Sequence, residues 1–326
     1  MIATNLFSKI IPFALVTSVW RYVLEFLRPV VKWLLRHTTG LCELQRVCYG
    51  DPEGAARTIG VETSLTKSRQ KDVMKLVDYL NRAASEQRFG KDGSKTIVDN
   101  TVHAVYQIKR IRRKAHPDFG PKLAVCVTSI WGYRQLFNEV ESLRTCPYDA
   151  DNQEHEAKVL ELWSLLMPNR PLLSRVTRQW QEIGFQGDDP KTDFRGMGLL
   201  GLENLLYFAR NYQNAAIHVL SHSHHPKHGY SFAIVGINLT SMAYTLWKEG
   251  LARCHVYNTC KGIPTLRHFH QFYCYLVYEF DKFWLAEKPA DIMEFGRVRD
   301  KFHTRLRHKL MLPTASLRMN LTVDIV

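Results

Sequence analysis

The chain has 326 residues, 45% of them hydrophobic and 11% aromatic, which is enough to bury a sizeable core and too apolar for a disordered chain. Its formal charge of +13 points to anionic partners, whether a lipid surface, nucleic acid or a phosphate-bearing ligand, and the sign alone does not choose among them. Seven cysteines, odd in number and without a C-x-x-C pair, argue against a disulfide framework and for a reducing compartment.

Residues 1–49 read as an amphipathic, membrane-associating segment. The uncharged run from Ile10 to Trp20 is eleven residues, about half of the roughly 20 that a helix needs to cross the hydrocarbon core. Beyond it, Arg21, Glu25, Arg28, Lys32 and Arg36 form a polar stripe, while Val23, Leu24, Leu27, Val31, Leu34 and Leu35 take the other face. With Trp20, Phe26 and Trp33 on the apolar side and a mostly basic stripe opposite, the expectation is an interfacial helix bent at Pro29. Packing into the core is the competing reading. No small-residue cleavage site ends the apolar run, so a signal peptide fits poorly.

Residues 50–147 read as a linker and a helical arm. GDPEGAARTIG is turn-rich and is expected to connect. Three apolar stripes follow at helical spacing: Val73, Leu76, Val77 and Leu80; Val102, Val105, Ile108 and Ile111; Leu123, Val127, Ile130, Trp131 and Leu136. Gly90 to Ser94 and His116 to Pro121 separate them. Residues 148–312 form the main domain, with Leu160, Trp163, Leu166 and Met167 as the first buried face and Pro168 as its stop. Further helices are expected at about 172–183, 198–211, 213–222, 230–249, 265–286 and 290–311, with 313–326 as a tail. No alternating strand or hairpin signal occurs, so the fold class is all-α.

Within the main domain lies WQEIGFQGDDPKTDFRGMGLLGL, residues 180–202. Gly184, Gly187, Asp188 and Asp189 favour turns, and Pro190 fixes a backbone angle and removes a donor. Arg195 then stands between Asp193 and Gly196 at the mouth of an apolar helix. Its guanidinium is always charged and offers five donors in a rigid fork suited to phosphate oxygens. The alternative is that Asp188, Asp189 or Asp193 ties it into an ion pair that merely stabilises the loop.

Other motifs carry less. Gly196, Gly198 and Gly201 spell G-x-G-x-x-G, but a polar loop precedes them where a dinucleotide fold requires a buried strand, and no acidic residue follows at the ribose position. These glycines are better read as starting the helix or letting a partner approach beside Arg195. His222, His224, His225 and His228, with His268, His270 and Cys274, match no zinc spacing, so no metal is expected. No G-x-S-x-G or G-x-x-x-x-G-K-[ST] loop is present, and the chain is not itself a nucleotide hydrolase. The basic clusters Lys109, Arg110, Arg112, Arg113, Lys114 and Arg297, Arg299, Lys301, Arg305, Arg307, Lys309 lack interleaved aromatics, which speaks against nucleic acid. Solvated helix faces or contacts to anionic headgroups remain.

The stretch 180–202, together with CELQRVCY, YDADNQEHE, YFARNY, HPKHGYSFAIVGINLTSMAY, PTLRHFHQFYCYLVYEFDKFW and DIMEFGRVRDKF, resembles the ELMO domain-containing proteins over nearly the whole chain. The resemblance implies an all-α ELMO domain that acts as a GTPase-activating protein for Arf and Arf-like small GTPases. It places the activating arginine of DPKTDFRG on Arg195. Related engulfment and motility scaffold proteins lack that arginine, so the alternative is a non-catalytic adaptor. The resemblance implies that Trp180, Gly184, Phe185, Gln186, Gly187, Asp188, Asp189, Pro190, Thr192, Asp193, Phe194, Gly196 and Gly198 meet the partner. GTP and Mg²⁺ would belong to that partner, the chain needing no cofactor of its own. The expected setting is the cytosol and the cytoplasmic face of intracellular membranes.

Overall fold

A computed structural model describes Leu27 and residues 29–89 and 93–319. The expectations placed on Ile10 to Phe26, and with them the helix bend at Pro29, fall outside or at the edge of these residues. The fold is all-α, and no strand occurs among the described residues. In order, the helices are α1 (29–39), α2 (Glu43–Gly50), α3 (Ala55–Thr66), α4 (Lys71–Ser85), α5 (Gly93–Ile108), α6 (Phe119–Thr145) and α7 (Gln153–Leu166). They continue with α8 (Gly198–Asn211), α9 (Gln213–Ser223), α10 (Phe232–Lys248), α11 (Arg253–Thr259), α12 (Leu266–Glu287) and α13 (Phe295–Leu310).

Two segments differ from expectation. The turn-rich stretch at 50–63 is not a connector: its glycine-bounded centre folds as α3, because Ala55, Val61 and Leu65 bury one face against α2, α6 and α11. Gly54 takes a φ of +99° and abuts Asn258, whose Oδ1 accepts the Ala55 amide at 2.8 Å, so a tertiary contact starts this helix where the sequence shows only turn residues. Likewise 172–183 is no helix. Its first half is irregular, and only Arg178–Ile183 coils into a 3₁₀ segment capped by Thr177. Helix α11, short and poorly periodic, has no clear sequence signal.

The arm and the main domain share one core. The long α6 packs on α3, α4 and α5 along one side and on α8, α10 and α12 along the other. Its Pro121 lies in the first turn, where an amide has no intrahelical acceptor to lose. Trp131, Trp247 and Trp284 are fully buried, and Tyr133 stacks on Trp247 at 5.3 Å. The tail through Leu317 also packs: Asn258 donates to the carbonyls of Pro313 and Ala315, and the Leu317 amide donates to His255 Nδ1. Helix α8, glycine-started and almost wholly buried, runs through the middle of the main domain against α6, α7, α9, α10 and α12. Its N-terminus is where Arg195 stands.

Candidate functional site

The segment between α7 and α8 folds back on itself over a file of buried rings. Trp163 packs edge-on against Trp180, Trp180 against Phe185, and Phe185 against Phe194, with centroids 5.6, 5.9 and 5.6 Å apart, and Phe194 meets Tyr148 at 5.4 Å. The indoles are also pinned by hydrogen bonds, Trp163 Nε1 to the Arg170 carbonyl and Trp180 Nε1 to the Arg175 carbonyl. This is why a stretch with little regular structure holds one shape: apolar burial beneath it replaces a helix's repeated hydrogen bonds.

Both ends are clamped by glycines that no other residue could replace without strain. Gly184 has a φ of +86°, and a Cβ there would lie 2.3 Å from the Phe232 amide nitrogen at the start of α10. Its carbonyl accepts the Ile234 amide at 3.2 Å. Gly198 has a φ of +51°, and a Cβ would lie 2.3 Å from the Cys146 carbonyl oxygen at the end of α6. The Leu199 amide donates to that same carbonyl at 2.9 Å. Of Gly196, Gly198 and Gly201, where the sequence suggests a close approach by a partner, Gly198 instead meets its own chain and a Cβ at Gly201 would touch Met197 and Phe194, whereas Gly196 faces open space.

Charge braces the middle. Arg175 donates to Glu156 on α7, to Asp189 Oδ1 at 2.9 Å and to the Tyr148 hydroxyl at 3.3 Å. Partial burial opposes ionisation of Asp189, yet the Lys191 amide and the Arg175 guanidinium hold its pKa below the ordinary value. Burial pushes the Tyr148 phenol up to about 12. Asp189 also caps the 3₁₀ turn Pro190–Gly196, with Pro190 at its first position.

Arg195 projects from this turn and is exposed. Its Nε donates to the Thr192 carbonyl at 2.9 Å, and no carboxylate pairs with it among the described residues. The ion-pair alternative fails because each nearby aspartate is used elsewhere. Asp188 accepts from Gln181 and, through its carbonyl, from the Thr177 amide; Asp189 holds Arg175; Asp193 accepts the Gln186 amide at 3.0 Å. Burial raises the pKa of Asp193, and the Gln186 amide and the positive field of Arg195 work against that rise. A bond between Asp193 and the guanidinium, which the sequence suggested, is replaced by this backbone cap.

The candidate partner-contacting residues thus divide. Arg195, Gln186, Asp188, Thr192 and Gly196 are exposed, and Gly187, Asp189 and Asp193 are half-buried. Trp180, Phe185, Pro190, Phe194 and Gly198 are buried and carry the loop from beneath, and Gly184 is fixed against α10, so none of these six is placed to touch a partner. Sequence reasoning missed Leu173 and Val176, which are 82% and 59% exposed. They sit on the irregular strip joined to the Arg195 loop through Thr177 to Asp188 and Arg175 to Asp189. Two large apolar side chains in open solvent beside a braced loop carry a signal only once the expected helix there is discarded.

The histidines are committed to structure. His222 Nδ1 pairs with Asp281 at 2.7 Å, His224 and His228 contact the carbonyls of Glu182 and Pro289, and His270 contacts Asn204. No group of three or more His, Cys, Asp or Glu side chains is arranged to hold a metal among the described residues.

Residues 138–299 match the ELMO/CED-12 family. The chain is 49% identical over 297 residues to ELMO domain-containing protein 2 of Mus musculus, covering 90% of this chain and 96% of the relative. It is 47% identical over 310 residues to ELMO domain-containing protein 1 of the same species, covering 90% and 91%. ELMO domain-containing protein B of Dictyostelium discoideum is 32% identical over 285 residues, covering 86% and 94%.

Proposed function

Because this chain belongs to the ELMO/CED-12 family, we propose that it is a GTPase-activating protein for Arf and Arf-like small GTPases, with Arg195 as the arginine supplied in trans. The observation that carries the reading is an exposed guanidinium on a braced turn, with no carboxylate partner among the described residues and only its own Thr192 carbonyl to hold it. During hydrolysis negative charge shifts over the β and γ phosphate oxygens of the partner's GTP, and the partner lacks enough cationic groups to stabilise it. One fork of N–H donors entering that pocket is worth about 10³ to 10⁵ in rate. A turn already fixed by the ring file and Arg175 loses little freedom on docking, so more of the contact energy reaches the transition state.

Gln186, Asp188 and Thr192 are exposed on the same loop as Arg195 and would meet the partner's switch loops. Leu173 and Val176 would supply the apolar part of the contact. The nucleotide and its Mg²⁺ belong to the partner, and the chain contributes no cofactor. The described part of α1 presents Val30, Trp33 and Leu34 to solvent, each more than half exposed, which supports a seat on an intracellular membrane. No helix among the described residues is long and apolar enough to cross one.

A panel of GTP-loaded Arf-family proteins mixed with the full chain tests the proposal. Acceleration by the wild type that disappears in Arg195→Ala, with binding retained, is the expected result. Binding without acceleration by the wild type would replace it with a non-catalytic adaptor.

A further inference from the structure

We propose that the pocket between α1, α2 and the C-terminal end of α5 binds the phosphorylated headgroup of an anionic membrane lipid. The pocket has a volume of about 410 Å³ and is lined by Lys32 and Arg36 of α1, Lys109 and Arg110 just after α5, and Ser64, Ser68 and Gln70. That size fits a small ligand. Among the described residues four cations share it with one carboxylate, Glu43, which accepts from Lys32 Nζ at 2.5 Å and from the Ser64 hydroxyl at 2.6 Å. Arg36 and Arg110 are exposed and have no carboxylate partner among the described residues.

The arrangement costs energy as it stands. Burial lowers the pKa of the Lys109 ammonium, with Lys32 and Arg36 adding to the lowering and Cys42 and Glu43 opposing it, and its Nζ donates to the neutral Gln70 Oε1 at 2.8 Å. Arg110 is held at a φ of +54°, a conformation that L residues other than asparagine and aspartate seldom adopt. The N-termini of α2 and α4 begin at Cys42 and Gln70; a capping box of Cys42 and Gln45 closes the first, whereas the second has no side-chain cap. Both ends add partial positive charge at the pocket wall. A phosphate monoester would relieve the repulsion and accept from several of these donors at once.

The neighbouring face of α1 decides the source of the phosphate. Val30, Val31, Trp33, Leu34 and Leu35 lie exposed on the same helix that contributes Lys32 and Arg36. A soluble phosphometabolite needs no such apolar rim, whereas a lipid offers acyl chains to it and a headgroup to the pocket. The site rests on the membrane reading of α1 and is independent of the role given to Arg195.

Co-sedimentation of the full chain with phosphatidylcholine vesicles carrying either a phosphatidylinositol phosphate or phosphatidylserine, at matched surface charge, tests it. The wild type should prefer the phosphoinositide, and Arg36→Gln with Arg110→Asn should lose about 30-fold of that binding, while Arg299→Gln with Arg305→Gln on α13 should lose much less. Asparagine at 110 keeps the left-handed backbone tolerable. Circular dichroism and melting of each variant report its fold. Equal losses in the two double variants, or equal binding to both anionic lipids at matched charge, would overturn the pocket while leaving α1 as a membrane helix. Binding to no vesicle would overturn both. Saturable, Arg110-dependent binding of inositol bisphosphate by a chain that ignores vesicles would show a site for a free phosphate instead.

Discussion

Arg175→Leu is the sharpest probe of what holds the Arg195 loop. The side chain is one-quarter exposed and bonds the Tyr148 hydroxyl and the carboxylates of Glu156 and Asp189, whose side chains are 22% and 19% exposed. Removing the cation leaves two half-buried carboxylates without their main partner. A fully buried pair broken in this way costs about 3 to 5 kcal/mol, and partial solvation brings the expectation here to about 2 to 3 kcal/mol. For a chain of this size that is a fall in Tm of roughly 3 to 4 °C. The loss should be local first: the Thr177 and Lys191 amides, which donate to Asp188 and Asp189, should exchange with solvent faster than the buried amides of α8. Adding Asp189→Asn to the variant should recover part of the loss, because it removes one orphaned charge. The pH dependence has a fixed sign. Asp189 is held below its ordinary pKa, so its contribution is complete above the unfolded value and is lost as the pH falls through the folded one, below about pH 4. Hydrogen exchange and thermal melting would refute the reasoning if the Lys191 amide kept its protection and the double variant melted lower than the single one.

Gly198→Ala should destabilise by at least about 2 kcal/mol, since its φ of +51° and the Cys146 carbonyl leave no room for a methyl group, while Gly196→Ala, with open space around it, should change stability by less than about 0.5 kcal/mol in denaturant titration. Burial lowers His255 to about 4, and the tail's Leu317 amide depends on its neutral Nδ1. The folded pKa lies below the unfolded value near 6.5, so stability should fall as the pH drops from about 6.5 to 4 by on the order of 3 kcal/mol, and His255→Asn should flatten that slope in a pH series of melting curves. Leu173→Asp with Val176→Asp should weaken partner binding at least about tenfold without lowering Tm, because both side chains stand in solvent; unchanged affinity in a titration would remove them from the contact surface.

The all-α class and most helices were legible because their apolar residues recur at helical spacing, as Val73, Leu80, Val105 and Leu123 do. What escaped was decided by contacts distant in sequence. Helix α3 hides in turn residues because Asn258 and α6 complete it. The first half of 172–183 looked helical, yet Gln179 takes over backbone partners there, accepting from the Leu173 amide and donating to the neighbouring Pro171 carbonyl. Around Arg195, the turn residues and the exposed cation could be read directly. Which aspartate would capture the guanidinium could not, because Arg175, fourteen positions away from Asp189, and the Gln186 amide compete for the same oxygens.

Single-turnover hydrolysis of GTP preloaded on an Arf-family protein, comparing the wild-type chain with Arg195→Lys, tests the central claim most directly. Lysine keeps the charge and the exposed position but not the planar fork of donors. The account predicts that wild-type chain shortens the lifetime of bound GTP and that the lysine variant, folded and still able to bind, loses most of that acceleration, up to about 10³-fold. Equal rates with arginine and lysine would contradict it.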